Sequence, residues 1–348
     1  MAGSTLVGLC LAYAACAVPS HRSWAILTYV ALFVPASMLV AMAWKRDDRR
    51  TVVAIVIVAI GARLAMSAAQ PLWSNDAYRY VWDGRLANRG IDPRSITPND
   101  PMLQGERGSA LWPHIDLRSI STVYPPLGIS VFRLAAFIDS NGVVGAKVIS
   151  LAGDVATIAI IMIVLRQRRL PRGRVTLYAL HPLVLISFAQ DAHLESMAVA
   201  GVCLAMTRSR LVRASGLAVA ILTKIYPIIF APVLFLRDIT GAVWTALIVL
   251  LAYLPALFRG HALGSLGAFV GTQRFNESVF ALAGPFGSAA LLAASVLCAA
   301  VAVGRGAEPA GVALAVAAAY LLTTPNALPW YVTILPALII FVPQPFGN

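Results

Sequence analysis

Two carboxylates, Asp76 and Asp83, lie seven positions apart in SNDAYRYVWDGRLANRGIDPR (residues 74–94), a stretch that also carries Arg79, Arg85, Tyr78 and Trp82. Seven residues is about two helical turns, so a helix here places both acids on one face. An Asp with an ordinary pKa of about 3.9 is ionised at neutral pH without tuning and can accept a proton. Asp83 is either a second acid or the ion-pair partner of Arg79 or Arg85. Other polar groups fall in short stretches: STVYPPLG (121–128) with Tyr124, QDAHLES (190–196) with Asp191, His193 and Glu195, QRFNES (273–278) with Arg274, and TTPNALPWY (323–331) with Trp330 and Tyr331. A His between two acids can bind a metal, but in a helix His193 and Glu195, two positions apart, face different ways. No residue is therefore assigned to a metal. Lys224 stands alone as the charged residue of the apolar run 214–236, three positions before Pro227. Ionisable groups at membrane depth are costly and usually functional.

The elements that must position these groups are membrane helices. The chain is 59% hydrophobic and 12% charged with a mean hydropathy of +0.79, and a bilayer core takes roughly 20 apolar residues per crossing. Full-length candidates are 24–44, 51–69, 143–165, 242–258 and 284–303. Shorter ones are 5–19, 175–188, 194–207, 214–236, 309–322 and 330–342. The alternating ten-residue segments of a β-barrel are absent. The reading is an all-α polytopic membrane protein of about eleven to twelve membrane segments, one domain over residues 1–348.

A net charge of +12 invites a nucleic-acid partner, but its distribution argues for a membrane. KRDDRR (45–50), RQRRLPRGR (166–174) and RSRLVR (208–213) are short basic loops between apolar runs, the signature of cytoplasmic loops. In segment 70–122 arginines and acids balance, as expected of the opposite side. This puts the N-terminus in the cytoplasm and the large loop 70–142 outside. VYPPLGISVFRLAAFI (123–138) reads as a helix lying in the outer interface, since a crossing there would invert the charge rule. The run 214–236 reads as two half-length segments meeting at Lys224, because Pro227 removes a backbone donor and clashes with the preceding turn. The four cysteines fall in apolar runs and form neither a disulfide framework nor a metal spacing. The N-terminal twenty residues lack the basic region of a signal peptide and read as a retained first span.

Six stretches, NDAYRYVWDGRLANRGIDPR, TVYPPLGISVF, AKVISLAGDVATIAIIM, ALHPLVLISFAQDAHLESMAVA, ILTKIYPIIFAPVLF and LPWYVTILPAL, occur in the order seen in polyprenyl-phosphate-sugar-dependent glycosyltransferases of the GT-C fold. Over roughly residues 70–342 the chain looks most like the mannosyltransferase branch that includes the GPI-anchor first mannosyltransferase and its bacterial relatives. The two spans of residues 1–50 are extra at the front. The resemblance implies a GT-C-like bundle and transfer of a hexose, mannose on this branch, from a polyprenyl-phosphate donor to a lipid-linked or glycan acceptor. It places the reaction on the outer face of a bacterial inner membrane, with the catalytic carboxylate in the first outer loop. Such enzymes often carry a D-x-D pair there; in this chain those positions are Asn75 and Ala77, with Asp76 between them. That departure leaves dependence on a divalent metal open, and no other cofactor is required.

The chemistry gives each residue a role. A sugar phosphate is already a good leaving group and needs charge neutralisation rather than a proton, so one carboxylate and one or two cations suffice for an inverting displacement, unlike the paired carboxylates of glycosidases. Asp76 is the expected base, with Asp83 as second acid or structural partner. Lys224, a compact point charge, suits the donor phosphate, and Arg79 is a second candidate; the alternatives are snorkelling and a solvated ion pair. Tyr78, Trp82 and Tyr124 stack on sugars or join the interfacial aromatic belt. Asp191, His193, Glu195, Arg274, Trp330 and Tyr331 are assigned to the sugar or acceptor pocket, and Asp154 to a bond with a neighbouring helix. The rival readings are a polytopic lipid or sugar transporter without transferase activity, and a non-catalytic donor-binding subunit.

Overall fold

The structure, a computed structural model, describes residues 1–343. It starts with a helical hairpin, α1 (Ala2–Cys16) and α2 (Arg22–Ala43), packed on α3 (Arg49–Ser67). Asp48 starts α3 by accepting the Thr51 N–H at 2.9 Å, an N-cap that satisfies one of the free donors of the first turn. A long loop follows, with α4 (Asp76–Asn88) and α5 (Pro126–Ile138), and then the long apolar helix α6 (Val144–Gln167). Next come two short turns, α7 (Thr176–Ala179) and α8 (Pro182–Val184), and a π-helical turn over Leu185–Gln190. The remainder is α9 (Glu195–Leu204), α10 (Arg210–Thr223), α11 (Ala231–Phe235), α12 (Ile239–Phe258), α13 (Leu266–Thr272), α14 (Val279–Gly304), α15 (Pro309–Thr323) and α16 (Ile334–Ile339).

Among the described residues five helices are long and apolar enough to cross a membrane: Pro19–Ala43, Arg49–Ser67, Val144–Gln167, Ile239–Phe258 and Val279–Gly304. They are the five full-length runs read from the sequence. Most of the shorter runs form shorter apolar helices, and one departs from its reading. Residues 175–188 are a broken path rather than one helix: the chain leaves α7 at Leu180, restarts at Pro182 and widens into the π-turn. Pro182 lacks the N–H a continuous helix would need. The Leu183 N–H, which a continuous helix would send to the Ala179 carbonyl, goes instead to His181 Nδ1 at 3.2 Å, and the carbonyl so released accepts from Arg63 at 2.6 Å, the kind of internal satisfaction that buried irregular backbone requires in lipid.

The run 214–236 does break at Lys224, which sits in extended conformation (φ −143°, ψ 140°) directly after α10. A 3-10 turn over Tyr226–Phe230 and then α11 complete it. The 13-residue α5 spans only about 20 Å and packs on α4 and α6, leaving Phe137 84% exposed. The fit of α5 on α4 depends on Gly84, where a Cβ would run into the Phe132 carbonyl. One large apolar cluster, running from Leu6 to Phe341, unites the bundle. Inside it Arg63 holds Asp154 in a bidentate pair through Nε and Nη2 at 2.8 and 2.9 Å, and Tyr178 donates to the same carboxylate at 2.9 Å. Asp154 thus has the neighbouring-helix partner expected of it.

Candidate active site

Helix α4 starts at Asp76, where a carboxylate is favoured by the positive end of the helix dipole; the Asp76 N–H donates to Ser74 Oγ at 3.1 Å. The preceding residues are held from beneath. Asp191 Oδ1 accepts the Leu72 N–H at 2.9 Å, and Gln190 Nε2 donates to the Gln70 carbonyl at 3.0 Å. Asp191 leads into a turn that Ala192 makes with positive φ (59°), which swings His193 out of the helical path before α9 begins at Glu195. The side chains of His193 and Glu195 therefore converge, with Nδ1 and Oε2 3.9 Å apart. The expectation that they face apart assumed a helix through both; His193 precedes it.

The result is a closed ring of side chains. Asp76 Oδ2 is 3.5 Å from His193 Nδ1, and Glu195 Oε1 lies 2.7 Å from Lys224 Nζ. Lys224 donates to the Tyr124 hydroxyl at 3.1 Å, Tyr124 donates to Tyr80 at 3.0 Å, and Tyr80 donates back to Asp76 Oδ2 at 3.4 Å. Trp330 stacks on the His193 ring at 3.7 Å. His193 and Glu195 are wholly buried, Lys224 is 12% exposed and Asp76 is 39% exposed. The ring is not saturated. Neither nitrogen of His193 has a hydrogen-bond partner, and the Glu195 oxygens lack a well-directed one despite their closeness to Lys224. Asp76, His193 and Glu195 do not form a metal cluster; among the described residues no three His, Cys, Asp or Glu side chains gather for one.

The exposed edge of the ring faces a cavity of about 1390 Å³. Asp76, Tyr124 and Lys224 line its polar end, while Ile26 and Val30 of α2, Phe269 of α13 and Leu292 of α14 make apolar walls. Burial pushes the Asp76 carboxyl up, but adjacent His193, the Lys224 charge and the Tyr80 hydroxyl outweigh it and hold the group below the usual carboxylate range. Burial likewise pushes the Tyr80 hydroxyl well up, so it stays a donor. Asp83 shifts oppositely: burial raises it against the pull of Arg79.

The expected site residues divide into two groups. Asp76, Tyr124, His193, Glu195, Lys224, Trp330 and Tyr331 come together, with Lys224 Nζ 5.4 Å from the Tyr331 ring. Asp191 lines the same cavity but supports the backbone before Asp76. The others do not join the ring. Asp83 is buried off the cavity with Arg79 at 2.9 Å, although the two acids do share one helix as expected. Arg79 lines the cavity, yet its guanidinium is also bound to the carbonyls of Asp116, Leu117 and Ile120. Tyr78 stacks on His114, Trp82 is buried against Trp112, and Arg274 sits outside over Phe280 beside Glu277. Sequence reasoning missed Tyr80, two positions after a tyrosine it did select, and the stacked pair Tyr226 and Tyr320 behind Lys224. Tyr80 follows Asp76 by four positions, the spacing of a helical neighbour, and could have been found by it.

Among known proteins, the family model described as Alpha-(1->6)-mannopyranosyltransferase, N-terminal domain, matches residues 1–239. The matched part contains every residue of the ring and also the two spans of residues 1–50. No curated protein and no solved structure matches the chain.

Proposed function

The chain belongs to the alpha-(1->6)-mannopyranosyltransferase family, and from that premise we propose how its site works: it moves mannose from a polyprenyl-phosphate donor to a lipid-linked or glycan acceptor. The protein is a mannosyltransferase embedded in a membrane by its apolar helices, which sets aside a transporter without transferase activity. The reading of donor and mechanism is carried by one observation: the ring joins an ionised carboxylate, Asp76, to an ammonium, Lys224, at the polar end of a large cavity with apolar walls.

The acceptor hydroxyl attacks the anomeric carbon and gives its proton to Asp76. The bond from that carbon to the phosphate oxygen breaks, and its electron pair leaves with the phosphate beside Lys224. Asp76, held below the usual carboxylate range, is present as carboxylate throughout the neutral range. It takes the proton late, as the attacking oxygen acquires positive charge. Lys224 neutralises charge that grows on the leaving phosphate, an interaction stronger in the transition state than before it. Glu195 and Tyr124 hold the ammonium in place from beneath. A single base open to the ring's cavity side supports one displacement with inversion. The apolar walls suit a polyprenyl chain.

The test is Asp76→Asn in proteoliposomes supplied with polyprenyl-phosphate-mannose. Turnover should fall by about 10³-fold, within the range for loss of a general base, with donor binding retained; near-normal turnover removes the mechanism. Balanced charge in residues 70–122 supports an extracytoplasmic site and a cytoplasmic N-terminus. In a chain with its native cysteines replaced, a membrane-impermeant thiol reagent should label a cysteine at Ser109 and not one at Ser209. Labelling at Ser209 reverses the orientation.

A further inference from the structure

Trp73 lies three residues before Asp76 and lines the same cavity, 38% exposed. Its indole N–H does not point outward. It donates at 2.6 Å to the hydroxyl of Tyr13, a wholly buried side chain of α1, which in turn donates to Gln190 Oε1 at 2.7 Å. An interfacial-belt tryptophan does the reverse, burying its ring and presenting the N–H to water or headgroups. Here the polar edge is locked inward and ring surface is left to the cavity, with the Arg22 guanidinium 5.8 Å from the ring centroid. The backbone beneath is fixed as well, through Leu72 on Asp191 and Gln70 on Gln190. A rigid aromatic surface beside the base is what the apolar C–H face of a pyranose requires: large contact area with little side-chain entropy to lose.

Which sugar it takes follows from the other wall, on the reading above that Lys224 meets the donor phosphate. Among the described residues Lys224 connects to Asp76 through Tyr124 and Tyr80 or through Glu195 and His193. Trp73 is bound to Tyr13 and Asp191 and, among the described residues, shares no hydrogen-bond partner with Lys224. In a single displacement the attacking and leaving oxygens lie on opposite sides of the anomeric carbon, and the base adjoins the attacking one. We propose that Trp73 is the stacking platform for the acceptor's terminal pyranose, and that Tyr13 of the N-terminal helix is the residue that positions it. Helix α1 then supports the acceptor site.

The experiment uses the full chain in proteoliposomes with polyprenyl-phosphate-mannose as donor and octyl α-mannoside as acceptor. Trp73→Ala should raise the acceptor KM about tenfold or more, while donor KM and kcat at saturating acceptor stay within about threefold; Trp73→Tyr should recover most of the loss. Tyr13→Phe, which keeps the ring and removes the lock, should raise acceptor KM several-fold with donor KM unchanged. An unchanged acceptor KM in Trp73→Ala, or an equal loss in donor KM and kcat, overturns the proposal. Should Trp73→Ala fail to fold, titration of octyl α-mannoside against intrinsic fluorescence decides: the wild-type change should disappear in Trp73→Phe, and its persistence overturns the proposal. That titration needs no donor, so it stands even where polyprenyl-phosphate-mannose is not turned over. Failure of the donor reading is thereby distinguishable from failure of the platform.

Discussion

Two of the buried charge clusters among the described residues are built from similar kinds of residue and are finished to different degrees. In the bundle core, Arg63, Asp154 and Tyr178 are 2% exposed or less, and both carboxylate oxygens and the guanidinium are hydrogen-bonded at 2.6–3.1 Å. At the cavity, Asp76, His193, Glu195 and Lys224 approach one another at 2.7–3.9 Å, with His193 and Glu195 lacking full hydrogen bonding. A saturated buried network rigidifies and has nothing left to offer a ligand. An unsaturated one beside a cavity keeps donors, acceptors and charge for a substrate. The comparison teaches that burial of charge does not by itself mark function; incompleteness next to open space does.

The comparison can be broken or sharpened in four ways. The largest stability effect belongs to the core. Arg63→Met leaves the Asp154 carboxylate buried and unpaired and should cost about 3–5 kcal/mol, read as lost thermal stability of the purified protein. Adding Asp154→Leu should restore most of it, because a well-packed apolar pair replaces a buried ion pair at little cost; no recovery would mean the ion pair does more than hold helices. At the cavity the effect should fall on function instead. Lys224→Gln should raise the donor KM by about 10–100-fold, the size of a lost charge-assisted contact, with a smaller drop in melting temperature than Arg63→Met; the reverse pattern would make Lys224 structural.

Asp191 tests the link between the two behaviours. Burial pushes its carboxyl up to about 6, against the pull of His193 and the N–H groups of Leu72 and Trp73. A folded-state pKa above the ordinary 3.9 means this group's contribution to stability is fully present below about pH 4 and is lost as pH rises through 6. Asp191→Asn carries no such ionisation cost. Its melting temperature relative to wild type should therefore rise between pH 4 and pH 7, and a constant difference would contradict the assignment. The smallest effects should come from residues outside the ring. Arg274→Ala should leave turnover within about twofold, and Asp83→Asn should lower stability through loss of the Arg79 pair without the loss of turnover expected for Asp76→Asn. If Asp83→Asn stops turnover equally, the choice between the two acids fails.

Much of this architecture was readable before any coordinates. Length and hydropathy placed the five full spans within a few residues, because a bilayer imposes a length that short-range structure must meet. Pro227 marked the break that frees Lys224, and isolation in an apolar run marked Lys224 itself. What escaped depended on backbone that composition does not encode. His193 and Glu195 meet because Ala192 adopts positive φ, an uncommon state for a residue with a Cβ. Asp83 looked equal to Asp76 because spacing on one helix says nothing about which end reaches the cavity. Trp73 and Tyr13 are 60 residues apart, so their bond has no local signature.

The central claim is that Asp76 serves the anomeric carbon and Lys224 the phosphate. Its most direct test is a density map of the Asp76→Asn chain with polyprenyl-phosphate-mannose bound. The account predicts the phosphate within hydrogen-bond distance of Lys224 Nζ and the anomeric carbon facing position 76. A phosphate seated on Arg79 instead, or a sugar turned away from position 76, would contradict it.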